Sequence, residues 1–242
     1  MKVYGLIGKS LKHSFSKEYF TKKFEQNHIE ASYQNFEFDR IEEVRSSLEK
    51  VKVLSGLNVT IPYKQVIIPF LDEMDEAAKV IGAVNTIRIK NGIWKGYNSD
   101  YYGFMTSLKP FLENKHDRVL LLGSGGASLA IQYALKLMKI PFHVVSREEG
   151  KGDLAYDALN KHVINACKLI INTTPLGTFP NIEEYPPIPY EFIGPDHFLY
   201  DLVYNPQKTK FLSLGEEQGA MIMNGLDMLK HQAEGAWKIW SE

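Results

Sequence analysis

The short apolar run Arg118–Leu122 passes directly into Gly123-Ser124-Gly125-Gly126-Ala127, and an apolar helical pattern continues from there through Lys139. No other feature narrows the choice of fold as much. A continuous apolar run of this length, closed by glycines, predicts a strand covered on both faces. The helix after it must carry the chain to a parallel neighbour, and Pro141–Ser146 supplies one. Strand, glycine turn, helix and strand make a βαβ unit of the dinucleotide-binding kind. Leu169–Thr173 and Phe198–Leu202 predict further strands, and Leu226–Trp240 a final helix.

The chain ahead of that unit alternates in the same way. Val3–Ile7 predicts a strand, Gly8–His13 a loop, and Ser16–Asn27 a helix with Tyr19, Phe20 and Phe24 on its apolar side. Ser32–Phe38 reads as a strand, Ile41–Glu49 as a short helix and Gly56–Ile61 as a strand. Beyond Pro62, Lys64–Asp72 and Glu73–Lys79 predict helical pieces. Asn85–Lys90 and Ile93–Tyr97 flank Asn91-Gly92, a strong tight-hairpin signal. Asp100–Glu113 predicts a connecting helix. The class is therefore α/β with mostly parallel sheets. The glycine turn comes too late for a chain that is only a nucleotide fold. Two domains are expected, the first over about residues 1–100 and the second from about 101.

Charge and cysteine content exclude several classes of function. With 28 basic and 29 acidic residues, the chain has no excess that would draw it to nucleic acid or an anionic membrane. A small molecule is the default partner. The single cysteine, Cys167, rules out an internal disulfide framework or a cysteine-rich zinc site. Lys9, Lys12 and His13 interrupt any apolar signal-like run, and no stretch approaches the ~18 residues of a membrane span, so a cytoplasmic setting is expected. The histidines show no metal-ligand spacing, and no metal is expected.

Glycines at 123, 125 and 126 would let the backbone turn sharply and approach a pyrophosphate, whose charge would rest on amides at the next helix N-terminus. Ser128 stands where the third glycine of G-x-G-x-x-G belongs, so the motif alone also suits a plain strand–helix turn. The second strand bears on which cofactor fits. It ends in Ser146-Arg147, with Lys151 nearby, and an arginine there accommodates a 2′-phosphate, which favours NADP(H). Glu148 and Glu149 pull the other way, because carboxylates repel a phosphate.

In the first domain, Ser14 and Ser16 lie on a loop entering a helix, where hydroxyls either bind a carboxylate or cap the helix. Asn58-Val59-Thr60-Ile61-Pro62-Tyr63-Lys64 ends a strand with Asn58 and Thr60 on one face and Lys64 beyond the break. These segments belong to an ordered series. His13-Ser14-Phe15-Ser16 and the Asn58–Lys64 run are followed by Gly82-Ala83-Val84-Asn85-Thr86, then by Gly96-Tyr97-Asn98-Ser99-Asp100. The glycine turn comes next, then Asn172-Thr173-Thr174, Asp201-Leu202-Val203-Tyr204-Asn205-Pro206 and Asn224-Gly225-Leu226-Asp227-Met228-Leu229. Across essentially the whole chain the series resembles the shikimate dehydrogenase family. The Asn-Val-Thr-x-Pro-x-Lys and Gly-Ala-x-Asn-Thr runs are its specific parts, and the glycine turn is generic.

The resemblance implies a substrate-binding, catalytic domain of residues 1–100 completed by 225–242, a Rossmann-like NADP-binding domain over 101–224, and an active-site cleft between them. It implies reversible NADPH-dependent reduction of 3-dehydroshikimate to shikimate, a step toward chorismate and the aromatic amino acids, by a monomer or homodimer. Lys64 and Asp100 match the catalytic pair. Ser14 and Ser16 match serines that bind the substrate carboxylate, Thr60, Asn85 and Gln232 match positions contacting ring substituents, and Tyr204 lies beside the substrate. Cofactor contacts fall on Gly123, Ser124, Gly125, Gly126, Ala127, Ser146, Arg147, Lys151 and Thr173, with Gly225 and Met228 at the nicotinamide end. The family's usual Asn-Arg-Thr is here Ser146-Arg147-Glu148, and Ser10, Lys17, Tyr19 and Ser99 also depart from its pattern. Two alternatives stand beside this reading. One is a family member acting on quinate or an aminated shikimate with NAD. The other is a non-catalytic metabolite-binding regulator on the same fold.

Overall fold

The computed structural model describes residues 1–11 and 14–242, so part of the loop expected over Gly8–His13 lies outside the described residues. The chain divides into two units, Met1–Ser99 with Ala233–Glu242, and Asp100–Gln232.

In the first unit β1 (Lys2–Gly8), α1 (Phe15–Gln26), β2 (Ala31–Glu37), α2 (Glu42–Leu48) and β3 (Leu54–Val59) come first. They are followed by α3 (Tyr63–Val66), β4 (Glu73–Met74), α4 (Glu76–Ile81), β5 (Thr86–Lys90) and β6 (Ile93–Tyr97). The sheet order is β2-β1-β3-β5-β6-β4. β1 runs parallel to β2 and β3, β4 runs parallel to β6, and β5 runs antiparallel to both its neighbours. Alternation along β1 divides the core. Ile7 packs with Val44, Leu48, Leu57 and Ile87, while Tyr4 and Leu6 pack with Phe20, Phe24 and the aromatic end of the last helix. The hairpin turns where both Asn91 and Gly92 take positive φ, 54° and 78°.

Beyond Pro62 the structure differs from the sequence expectation. α3 is a single turn, a 3-10 turn follows at Ile68–Phe70, and Glu73–Met74 is a strand paired with Lys95 and Gly96 rather than helix. Pro69 cannot continue a helical ladder. The Asp72 carboxylate then accepts Trp94 N at 2.7 Å and draws the segment onto the sheet edge. Asp75 caps α4 by accepting Ala78 N at 2.8 Å, so that helix begins only at Glu76.

The second unit contains α5 (Asp100–Leu108), β7 (Val119–Leu122), α6 (Gly126–Leu137), β8 (Phe142–Val145) and α7 (Lys161–Ala166). β9 (Leu169–Asn172), β10 (Phe198–Asp201), α8 (Lys210–Glu217) and β11 (Met221–Met223) follow, and α9 (Leu226–Ser241) ends the chain. Its sheet is all parallel in the order β11-β10-β9-β7-β8. β7, β9 and β10 are buried along their length, as their largely apolar sequence requires. Pro110 limits α5, which gives way to a 3-10 turn at Lys109–Phe111. The division between units falls inside α9, whose first turns bury Met228 with Phe104, Leu108 and Tyr200. Trp240, near its other end, belongs to the first unit's core and donates its indole N–H to Ile87 O at 3.0 Å. Among the described residues, no helix is long and apolar enough to cross a membrane.

Candidate functional site

In the first unit, polar side chains gather where β1 and β3 end. Thr60 N donates to Ile7 O at 2.9 Å, and Val59 N donates to Asn85 O at 2.8 Å. Val84 N donates to Lys64 O at 2.7 Å, which pins the backbone of Lys64 beside that of Asn85. Asn85 is buried and held at both ends of its amide. Its Nδ2 donates to Ser99 Oγ at 3.1 Å, and its Oδ1 accepts Ser99 N at 2.7 Å and Thr86 Oγ1 at 3.0 Å. Asn98 Nδ2 donates to Ala83 O at 2.9 Å, so the peptide leading into Asp100 is fixed on its other side too. Asp100 opens α5 and is 3% exposed.

Asn58 joins this cluster to β2. Its Nδ2 donates to Asn85 O and Thr86 Oγ1, both at 3.3 Å, and its Oδ1 accepts the Tyr33 hydroxyl at 2.8 Å. A carbonyl can only accept, so the amide orientation is set by Asn85 O and the direction of the Tyr33 hydroxyl follows. Burial pushes the Tyr33 phenol well above its ordinary range, keeping it a neutral donor, and the Ser16 hydroxyl is its other hydrogen-bond partner. Ser14 caps α1, its Oγ accepting Lys17 N at 3.2 Å. Capping uses an oxygen lone pair and leaves the hydroxyl proton to donate elsewhere. The structure thus brings Ser16, Asn85 and the backbone of Lys64 into one hydrogen-bonded neighbourhood, with Ser14 on the turn before Ser16 and Thr60 at the end of β3.

In the second unit the glycine turn follows β7, the strand at which the connections switch from β8 on one side to β9 on the other. Ligands of open parallel sheets bind at such a point, outside the carboxyl ends of the strands. Gly123 has φ +105°, and a Cβ there would lie 2.8 Å from Thr173 Oγ1. Gly125 occupies the N-cap of α6 with no side-chain cap, and open space lies where its Cβ would be. The first amides of α6 are therefore available to an anion, and the turn has room for a pyrophosphate. Ser124 Oγ lies 3.0 Å from Ser146 Oγ, which also accepts Glu148 N at 3.0 Å, joining the ends of β7 and β8. Arg147 and Lys151 are exposed, and Lys151 pairs with Glu148 at 2.5 Å. These residues fit an NADP(H) phosphate backbone and a nearby 2′-phosphate.

Helix α9 brings its own residues toward α5. At Gly103 a Cβ would lie 2.6 Å from Met228 O and 2.8 Å from Gln232 N, so only glycine allows this backbone contact. Gly225 is equally constrained, since a Cβ there would overlap Leu202 O. Tyr204 follows β10, is 36% exposed, and has its phenol pKa raised by burial of the ring. Asp201, at the end of β10, is fully buried. Burial pushes its carboxyl up to about 7, against donors on Thr209, Val203 and Asn172 that favour the charged form. The sequence motifs assign no role to Tyr33, Asn172 or Asp201. A polar residue closing an otherwise apolar strand, as in Leu-Ile-Ile-Asn and Phe-Leu-Tyr-Asp, is the signal that marks the last two.

Fold and site together define a two-unit α/β protein whose second unit is a Rossmann-type nucleotide binder. The family described as "Shikimate dehydrogenase substrate binding domain" matches residues 6–87. A shikimate dehydrogenase (NADP(+)) from Caldicellulosiruptor saccharolyticus is 38% identical, over 99% of this chain and 92% of its own length. One from Aquifex aeolicus is 37% identical over 99% and 91%. Among solved structures, shikimate 5-dehydrogenase from Thermus thermophilus, in complex with NADP(H) and shikimate, superposes with a TM-score of 0.89 at 28% identity, covering 100% of this chain and 94% of that one. The chain belongs to the shikimate dehydrogenase family.

Proposed function

We propose that this chain catalyses the reversible, NADP(H)-linked interconversion of 3-dehydroshikimate and shikimate. The observation that carries the reading is the Val84-Asn85 segment, where Val84 N holds Lys64 O and the Asn85 amide holds the peptide entering Asp100. Residues with no shared task have no need of such a common anchor. Full-length similarity to NADP-linked shikimate dehydrogenases supports the same assignment. The first unit would hold the substrate and the second the cofactor, in a cytoplasmic monomer or homodimer.

Bound NADPH would supply the hydride; the protein supplies binding, orientation and the proton. Negative charge develops on the ketone oxygen during reduction. The Lys64 ammonium is suited to stabilise it and to deliver a proton there. Asp100 is assigned the second role in the proton transfer, and in the oxidative direction the two residues receive the proton back. Ser14 and Ser16 bind the carboxylate, Thr60, Asn85 and Gln232 contact the ring substituents, and Tyr204 lies beside the substrate. Gly123 to Ala127, Ser146, Arg147, Lys151 and Thr173 hold the cofactor, with Gly225 and Met228 at its nicotinamide end. Steady-state kinetics of Lys64→Ala test the assignment. The variant should lose at least about a hundredfold in kcat, the scale of general acid catalysis, with a smaller change in KM for shikimate. Near-normal turnover would remove Lys64 from the chemistry.

A further inference from the structure

Asp201 is a fully buried carboxylate in the second unit, and donors on Asn172, Val203 and Thr209 all point to it. Asn172 Nδ2, at the end of β9, donates to Oδ1 at 3.0 Å, and Val203 N donates to the same oxygen at 3.0 Å. Thr209 Oγ1 donates to Oδ2 at 2.5 Å while accepting Leu212 N at 3.3 Å as the cap of α8. A buried carboxylate is costly unless such donors meet it, and removing it would leave them unpaired. A fold that needed only to close β9 against β10 could do so with an apolar pair.

The consequence lies just beyond the end of β9. Asn172 spends its Nδ2 on Asp201, so its Oδ1 faces the other way. That oxygen accepts both Thr174 N at 3.0 Å and Thr174 Oγ1 at 2.6 Å. If the amide turned over, its NH2 would face the Thr174 N–H, donor against donor. The carboxylate therefore fixes the amide, and the amide fixes the Thr173-Thr174 turn. This turn is the wall against which Gly123 packs. A Cβ at Gly123 would lie 2.8 Å from Thr173 Oγ1, 3.0 Å from Thr174 Cγ2 and 3.3 Å from Thr174 N. Thr173 holds its own place by donating to Leu122 O at 2.7 Å, so Asn172 and Leu122 clamp the turn from two sides.

We propose that Asp201 is a positioning residue for cofactor binding, acting through Asn172 to set the Thr173-Thr174 turn beside the glycine loop. The inference rests on the reading that this loop binds NADP(H).

The test is the dissociation constant of NADP+ by isothermal titration calorimetry, together with KM values and thermal midpoints. Proteins compared are the wild type, Asp201→Asn, Asn172→Ala and the double variant. Asp201→Asn keeps the shape and loses the charge; Asn172→Ala breaks the relay one step later and stands in if the first variant folds poorly. Each single variant should weaken NADP+ at least about fivefold while KM for shikimate stays within about twofold. The double variant should be no weaker than the worse single one, since both cut one chain. Lowered thermal midpoints with unchanged NADP+ affinity would reduce Asp201 to a structural role and overturn the proposal, as would effects that multiply in the double variant. A wild type that binds no NADP+ would instead sink the cofactor reading, and this inference with it.

Discussion

Ser14 caps α1 and is proposed to bind the substrate carboxylate, and its substitutions separate the two roles. As the N-cap of α1 it accepts Lys17 N, and its proton remains to donate to a substrate carboxylate. Alanine removes both roles, costing about 1 kcal/mol of helix stability, whereas glycine is nearly as good a cap and costs only a few tenths. Ser14→Gly should therefore raise KM for shikimate roughly tenfold or more, the worth of a hydrogen bond to a charged group, with the urea midpoint almost unchanged. Ser14→Ala should raise KM similarly and also lower the midpoint. An unchanged KM in the glycine variant would leave Ser14 as a cap alone. The sequence presented both roles and could not choose, since the same hydroxyl on the same turn serves either.

At the scale of elements, the turn after β8 is the segment proposed to set the preference between nicotinamide cofactors. Arg147 is exposed and stands outside the Glu148–Lys151 pair, which keeps the Glu148 carboxylate partly occupied. Arg147→Ala should raise KM for NADP by roughly tenfold or more while leaving that for NAD nearly unchanged, because only the former carries the 2′-phosphate. Glu148→Gln should act in the opposite sense, lowering KM for NADP by removing a repulsive charge and releasing Lys151. Equal losses with both cofactors in the arginine variant would place Arg147 outside the 2′-phosphate contact. The glycine turn and its flanking strands were legible because a short apolar run closed by glycines has few alternatives. The stretch from Lys64 to Lys79 was not. Its helical spacing is genuine over α4, but Pro69 and the Asp72 bond to Trp94 N divert the preceding residues to the sheet edge. That bond joins positions far apart in sequence, and no local pattern announces it. The same holds for Tyr33, which joins the site through Asn58 and Ser16.

The whole molecule carries a pH dependence that can be signed. His116 and His197, both in the second unit, are almost fully buried, and burial lowers their pKa from 6.5. His116 Nδ1 accepts Glu113 N at 3.1 Å and His197 Nδ1 accepts Gly194 N at 3.0 Å, so both rings are fitted as neutral imidazoles. The unfolded chain binds protons there first as pH falls below about 6.5, so stability is full above that value and is lost on acidification toward the lowered folded values. Asp201 works in the other sense, because its raised pKa of about 7 lets the folded state take up a proton before the unfolded one. Replacing a histidine isolates its share. His197→Asn should lower the urea midpoint at pH 7.5 yet narrow the gap between pH 7.5 and pH 5.5; an unchanged gap would show that His197 does not couple to folding. The chain divides into two units, and the last helix contributes residues to both. An α-helix with apolar residues along its whole length does not declare which core each turn enters, and α9 gives Met228 to one unit and Trp240 to the other.

The activity proposed for this chain is that of an NADP-linked dehydrogenase acting on a hydroxylated cyclic acid, and absorbance at the reduced-nicotinamide band tests it most directly. Purified protein is mixed with shikimate and NADP, and in parallel with shikimate and NAD. Rapid NADPH formation, with NAD a much poorer acceptor, is the result expected from Arg147 and from the Lys64–Asp100 pair. No reduction of either cofactor by shikimate would contradict the assignment, leaving the fold in place without the chemistry ascribed to it.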